Sequence, residues 1–281
     1  MMTVPAVTTI VDPITSVPVR KVAVGAEVGP PLKGVVLWKA TVGDGPDQLG
    51  LGAGECGDCG PWSPIVTGGT VVVLDQQNNR WLSVHADHTT VAAKLDPGTV
   101  PAGQPVLAPD GLIYAPFRLD NSPGPDGQAT WVVYGYEPDD LAAAVVEVPI
   151  DGSMYTTVEV DGDQLLANFR SIRRFSDGAP AKVTTQGTSV TVDTGTLRTI
   201  WTFPDGWAPG QPHVLSDGSV VVRGWNGRIA LLTSGGKWAT NTASGINSAN
   251  NGEITVDDNG ILQLELIGGN WQIVRYLLPT G

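Results

Sequence analysis

Five glycines mark a repeat that constrains the fold more than any other feature of the chain. Gly69, Gly111, Gly162, Gly218 and Gly260 each follow a turn residue and precede a short alternating strand, at spacings of 42, 51, 56 and 42 residues. GTVVVLDQQNNRWLSV (69–84), DGSVVVRGWNGRIALLTSGGKW (217–238) and NGILQLELIGGNWQIVRYLL (259–278) show the unit. Each has a strand, a polar Gly/Asn turn and a second strand carrying a large apolar residue. Gly and Asn suit such turns because hairpins need positive φ. The 36 Gly and 22 Pro among 281 residues break helices too often for a helical bundle. At 41% hydrophobic with nine Trp, the chain is also too apolar to be disordered or collagen-like. It is predicted to be β-rich.

Repeats of about 40–50 residues holding several strands each are the signature of propeller blades. A weaker match at Gly187 would divide the 56-residue interval in two. The 25 residues from Gly162 to Gly187 are too few for four strands, so one long blade is expected there. The last unit has room for only two strands after Gly260. N-terminal strands are expected to complete it, with 34–40 (GVVLWKA) and the segment near Ile65 as donors. The predicted fold is all-β, a β-propeller of five blades with six as the alternative count, and a β-sandwich as the alternative architecture. Residues 35–281 form the propeller domain. Residues 1–34, rich in Val, Pro and Thr, read as an extended arm that docks on a neighbour. In PDDLAAAVVEV (138–148) an Asp start and three alanines favour a helical turn, while Val145, Val146 and Val148 favour strand.

The formal net charge is −12, from 28 acidic and 16 basic residues. Duplex binders carry a basic stripe because phosphate neutralisation supplies most of their affinity. The only dense basic spot here is Arg170, Arg173 and Arg174 in NFRSIRRF, better read as a solvated strand end than as an anion site. No nucleic-acid partner is expected. The N-terminal stretch lacks a charged n-region and is interrupted by Pro5, Asp12 and Pro13, so no signal peptide is expected. No run approaches the roughly 18 apolar residues needed to span a membrane, and no membrane insertion is expected.

Two cysteines, Cys56 and Cys59, sit in GECGDCGP, and His85-Ala-Asp-His88 follows. The flanking glycines and Pro61 make a loop rather than the strand-to-helix setting of a thioredoxin motif. Cys56, Cys59, His85 and His88 supply four ligands of suitable type for tetrahedral zinc. His85 and His88 have opposite strand parity, so both can face one metal only if Ala86-Asp87 turns. A local disulfide or redox pair, and two unlinked thiols with surface histidines, are the alternatives. The loop from Asp120 to Asp126 and the run from Asp257 to Gly260 offer oxygen ligands, but plain Asx turns explain both.

No hydrolase motif appears, and His213 in QPHVLSDG has no evident nucleophile. A propeller glycosidase would need at least two converging carboxylates. Asp110, Asp161 and Asp217 recur at equivalent repeat positions, which turn chemistry explains better than catalysis. The expectation is therefore a non-enzymatic protein. Tryptophans are more suggestive, because aromatic faces stack on sugar rings. Trp81, Trp201 and Trp271 lie within alternating strands and are expected in the core. Trp207 in PDGWAPG, Trp225 in GWNG and Trp238 in GGKW are flanked by turns and are the candidate ligand-binding residues.

VLSDGSVVVRGWNGRIALL and TVDDNGILQLELIGGNWQIV resemble β-propeller repeats generally. The Val/Pro arm, the missing signal sequence and the Gly/Val/Asp/Thr-rich strands with Arg outnumbering Lys also resemble minor tail proteins of actinobacterial tailed phages. That resemblance implies a virion component whose arm anchors to other tail proteins. Its propeller would face the host surface, with tryptophans stacking on cell-envelope glycan. A free-standing propeller lectin or a glycan-processing enzyme is the alternative, with a cytoplasmic location as the alternative to the virion.

Overall fold

A computed structural model describes residues 7–11, 18–23, 32–54, 57–62, 64–123, 129–150, 158–161, 164–167, 170–174, 182–186, 188–193, 198–203, 209–215, 219–224, 229–233, 238–240, 254–257 and 259–278. The chain opens with β1 (Val7–Val11), β2 (Pro18–Ala23) and β3 (Lys33–Thr41), then a short hairpin of β4 (Gly52–Gly54) and β5 (Gly57–Cys59). Next come β6 (Ile65–Thr67), β7 (Thr70–Asp75), β8 (Arg80–Val84) and β9 (Thr90–Lys94), paired in that order as one antiparallel sheet. The following sheet holds β10 (Thr99–Pro101), β11 (Val106–Leu107), β12 (Ile113–Pro123), β13 (Ala129–Glu137) and β14 (Asp140–Ile150), with β10 and β11 both along β12.

A three-stranded sheet of β15 (Val158–Asp161), β16 (Gln164–Ala167) and β17 (Arg170–Arg174) comes next. After it, β18 (Lys182–Gln186), β19 (Ser189–Asp193) and β20 (Arg198–Thr202) form a sheet that β2 extends by pairing parallel to β20, with β1 outside β2. A four-stranded sheet of β21 (Pro209–Val214), β22 (Val220–Gly224), β23 (Ile229–Leu232) and β24 (Trp238–Thr240) follows. The final sheet has β25 (Thr255–Asp257), β26 (Gly260–Ile267) and β27 (Asn270–Leu277), with β3 beside β27.

The fold is all-β and of propeller type, with no helix among the described residues. Sheets of three or more strands number six among the described residues, against the five blades favoured from sequence. The difference lies in the 56-residue interval. It divides into β15–β17 and β18–β20, because β2, from far away in sequence, supplies the outer strand that the short unit lacks. Lys33–Thr41 adds to β27, whereas the segment at Ile65 starts a sheet of its own. Gly69 and Gly111 sit at φ +83° and +84°, so these turns use the left-handed conformation that marks the repeat. Asp140–Ile150 is strand, not helix, because its Val residues favour the extended backbone.

Two compact units emerge from the contacts, one of residues 36–179 with 262–274 and one of 1–35, 180–261 and 275–281. In the first unit, β7 and β8 are buried along their length. Successive side chains on a strand face opposite ways, so full burial means that both faces are covered. On one face Val72, Leu74 and Trp81 pack with Ile113, Phe117, Val132 and Tyr136. Trp81 meets Tyr136 edge-to-face, with ring centroids 5.3 Å apart. On the other face Val71, Val73, Leu82 and Val84 pack with Trp38, Leu262, Trp271 and Ile273. Outer strands β9 and β14 are largely exposed. Each fully buried Val or Leu contributes roughly 1.5–3 kcal/mol.

In the second unit, Val190, Trp201 and Phe203 pack on Val220, Val222, Ala230 and Leu232. Trp81, Trp201 and Trp271 are all buried, as their place in alternating strands implies. His213 lies half-buried on β21, opposite Val221. Burial pushes its pKa down to about 4 from 6.5. The folded protein therefore holds this imidazole neutral, while the unfolded chain takes up a proton as pH falls below 6.5. His213 should lend its full stability above pH 6.5 and lose it progressively as pH falls towards 4. Urea unfolding of the His213→Gln variant at pH 7 and pH 5 should show a smaller acid loss than the parent. An equal loss would place the acid sensitivity elsewhere.

Candidate functional site

The β7–β8 hairpin ends in Asp75-Gln-Gln-Asn-Asn-Arg80, and its register sets Asp75 directly opposite Arg80. Both are buried, with side-chain exposures of 0% and 8%. Arg80 Nε donates to Asp75 Oδ2 at 3.2 Å. Its Nη2 donates to the carbonyls of Gly45 at 2.8 Å and Gln48 at 2.7 Å, and its Nη1 reaches the Asp44 carbonyl at 3.4 Å. One guanidinium thus gathers three carbonyls of the loop that follows β3. Asp75 completes the tie by accepting the Gly50 amide at 3.1 Å and the Asn78 Nδ2 at 2.7 Å. Asn78 also donates to the Gly43 carbonyl at 2.9 Å.

The loop holds itself as well. Gln48 Oε1 accepts the Gly45 amide, and Gln48 Nε2 donates to Thr41 Oγ1. Leu49 is fully buried, and its amide bonds the Thr41 carbonyl. Gly50 is required for the close approach, because a Cβ there would stand 2.5 Å from Gln77 Cβ, which no rotamer can move. Further along, Gln76 Nε2 donates to the Gly60 carbonyl and the Trp62 amide donates to the Leu74 carbonyl. The described residues from 42 to 62 are therefore pinned at several points to one end of the β7–β8 hairpin.

Burial pushes the Asp75 carboxyl above its ordinary value, against the pull of Asn78, the Gly50 amide and Arg80. The pair costs much of what it returns, so its role is to fix one loop conformation. Around it stand exposed Asp44, Asp47 and Gln77 and half-buried Gln76 and Asn78; half-buried Trp62 packs one side against the core of Leu74 and Trp81 and leaves part of its ring exposed. Residues 42–64 contain Asp44, Asp47, Glu55 and Asp58 and no Lys or Arg. Four of the five Arg80 N–H donors are committed to protein acceptors. The assembly offers amides, carboxylates and an aromatic ring, and it repels anions.

Sequence reasoning placed ligands elsewhere. Trp207 and Trp225 lie outside the described residues. Trp238 is half-buried and packs against the core of Trp201, Val220 and Leu232. Ala86-Asp87 does turn, as joint use of His85 and His88 requires, with His88 at φ +65° and the Thr89 amide on Asp87 Oδ1. The histidines nevertheless stand at the end of β8 near Thr70, whose hydroxyl lies 3.3 Å from His85 Nδ1. Gly60, next to Cys59, is held by Gln76 at the opposite end of those strands. Five strand residues, about 17 Å, separate the two ends, and the described backbone sets Gly60, beside Cys59, at one end and His85 at the other. Cys56 lies outside the described residues.

Asp110 accepts the Leu112 amide and the Tyr114 hydroxyl, the turn role expected of it. Asp120 forms a two-point pair with Arg118, while Asp126 lies outside the described residues. Asp161 ends β15, Asp217 lies outside the described residues, and Arg170, Arg173 and Arg174 fall on β17. Asp75 and Arg80 were not singled out from sequence. The signal was a polar turn bracketed by opposite charges, in a strand pair otherwise apolar but for Thr70 and Ser83.

No protein-family model matches the sequence, and no curated protein does. Solved structures of similar shape include a streptogramin B lyase at 14% identity, covering 78% of this chain and 66% of that one with a TM-score of 0.32. A virginiamycin B lyase from Staphylococcus aureus has 13% identity, 77% and 80% coverage and a TM-score of 0.37. The PQQ-bound aldose sugar dehydrogenase from Streptomyces coelicolor has 13% identity, 88% and 99% coverage and a TM-score of 0.44. The chain thus spans just under two thirds of the streptogramin B lyase. These three neighbours are enzymes, which corrects the expectation of a non-enzymatic protein. Nothing among them supports a tail-tip origin, which rested on composition.

Removing Arg80 should strand a buried carboxylate and three carbonyls. Arg80→Ala should lower the unfolding free energy by about 3–5 kcal/mol. Arg80→Lys should recover less than half of that, because a single ammonium cannot match the guanidinium fork. Urea titrations followed by tryptophan fluorescence would check both. Full recovery by Lys would mean that charge alone, not the gathered carbonyls, carries the tie.

Proposed function

We propose that the chain is a saccharide-directed propeller protein, a lectin or a glycan-processing enzyme, whose ligand meets the assembly of residues 42–64 and the β7–β8 turn. The observation that carries this reading is the loop fixed by Asp75 and Arg80, with Trp62, Gln76, Gln77, Asn78, Asp44 and Asp47 gathered at one end of the hairpin. Planar amides and carboxylates bond hydroxyl groups, and an aromatic face covers the apolar side of a sugar ring. The local excess of carboxylates and the spent donors of Arg80 favour a neutral polyhydroxy ligand over a phosphate or sulfate ester. Fixing the loop before binding reduces the ordering cost of association.

An array of neutral and sulfated oligosaccharides probed with the purified protein tests the reading. Neutral glycans should bind, and Trp62→Ala should weaken them by about tenfold with an unchanged circular dichroism spectrum. Incubation with a bound glycan, followed by product analysis, separates enzyme from lectin. Preference for sulfated glycans, or full retention of binding by Trp62→Ala, would contradict the proposed site.

A further inference from the structure

Trp38, Trp81, Trp201 and Trp271 lie within strands and are buried. Trp131 lies within β13 and is only half-buried. On its face of the sheet Trp131 stands opposite Arg118 of β12 and Ile150 of β14, and Val100 of β10 stands opposite Arg118. One step inward on that face, Pro116 and Val133 oppose each other and are buried. The Trp131 row is the next one out, with Val100 exposed and Arg118 and Ile150 half-buried. Directly opposed residues lie about 5 Å apart at Cβ, so Trp131 and Arg118 are surface neighbours. The Arg118 side chain is held in place: its Nε donates to Asp120 Oδ1 at 2.6 Å and its Nη2 to Oδ2 at 3.1 Å. Asp120 is held in turn, its amide donating to the Gly98 carbonyl at 2.8 Å. An exposed ion pair of this kind contributes little to stability. With 31% and 45% of their side chains exposed, both partners keep bonding capacity towards solvent. Arg118 Nη1 has no acceptor among the described residues, and a carboxylate accepts more bonds than Asp120 holds here.

We infer that Trp131, Arg118 and Asp120 form a second saccharide subsite, which takes one neutral sugar ring. The indole covers the apolar side of the ring. Arg118 Nη1 donates to one hydroxyl, and an Asp120 oxygen accepts from the adjacent one. A fixed donor beside a fixed acceptor matches a pair of neighbouring hydroxyls. Guanidinium and carboxylate together carry no net charge, so a phosphate or sulfate ester gains little here over a hydroxyl. The inference rests on the saccharide reading for its class of ligand, but it uses a different sheet from the β7–β8 turn. Two subsites on one chain hold a polysaccharide more strongly than either does alone.

Titration of the isotope-labelled protein with cellohexaose, maltohexaose and xylohexaose, followed by NMR at the indole N–H resonances, tests this. Loss of one resonance in Trp131→Phe and of another in Trp62→Phe identifies the two indoles. At least one of the sugars should shift the Trp131 resonance saturably, in the parent and in Trp62→Ala alike. Arg118→Met should weaken that response about tenfold while the other indole resonances keep their positions, as a folded variant requires. A Trp131 response without one at Trp62 would support this subsite and contradict the loop site. A Trp62 response without one at Trp131 would overturn this subsite and leave the saccharide reading standing. Loss of the Trp131 response in Trp62→Ala, or an undiminished response in Arg118→Met, would also overturn it. Silence of both resonances towards all three sugars would overturn both readings.

Discussion

Two-sided burial of central strands is the constraint on which the rest of this structure depends. A strand covered on both faces can carry no ordinary polar side chain, and β7 and β8 obey this with Val71 to Leu74 and Trp81 to Val84, relieved only by Ser83. The exceptions come at the hairpin end, where Asp75 and Arg80 face each other. A buried charge is tolerated only when paired and fully bonded. The stacked sheets thus create the setting in which one ion pair must find partners, and it finds them in the loop after β3.

That loop explains how a stiff β-stack can hold a shaped end. Seven glycines among residues 42–60 would leave the chain free, yet Arg80, Asp75, Asn78 and Gln76 bond it at points from Gly43 to Gly60. The scaffold supplies rigidity and the loop supplies chemistry, the usual division of labour between sheets and connections. Since the guanidinium is committed to carbonyls, the polar groups left to a ligand are neutral or acidic. Ligand chemistry here follows from how the loop is held.

Much of the fold was legible in the sequence, and for a physical reason. Gly69 and Gly111 mark turns that need positive φ, and Trp81, Trp201 and Trp271 sit in alternating strands that must pack. The number of sheets was not legible. Counting residues between glycines assumes that each unit is contiguous, and β2 (Pro18–Ala23) pairs with β20 (Arg198–Thr202) from far away in the sequence. The candidate site was less legible still. Turn tryptophans were the candidate ligand residues, and of these Trp238 leans on the core. Spacing groups Cys56, Cys59, His85 and His88 as possible ligands, but spacing says nothing about which end of a strand a loop returns to. The Asp75–Arg80 pair was hidden because opposite charges flanking a polar turn look like solvated surface until the sheets on either side are in place.

The loop after β3, though rich in glycine, is held as firmly as the strands beneath it. Residue-resolved amide hydrogen exchange tests this directly. The amides of Gly43, Leu49 and Gly50 bond to Leu49, Thr41 and Asp75 respectively, and they should exchange as slowly as those of Val72 and Val73. Exchange at the rate of an exposed, unbonded loop would contradict the claim, and with it the preformed site.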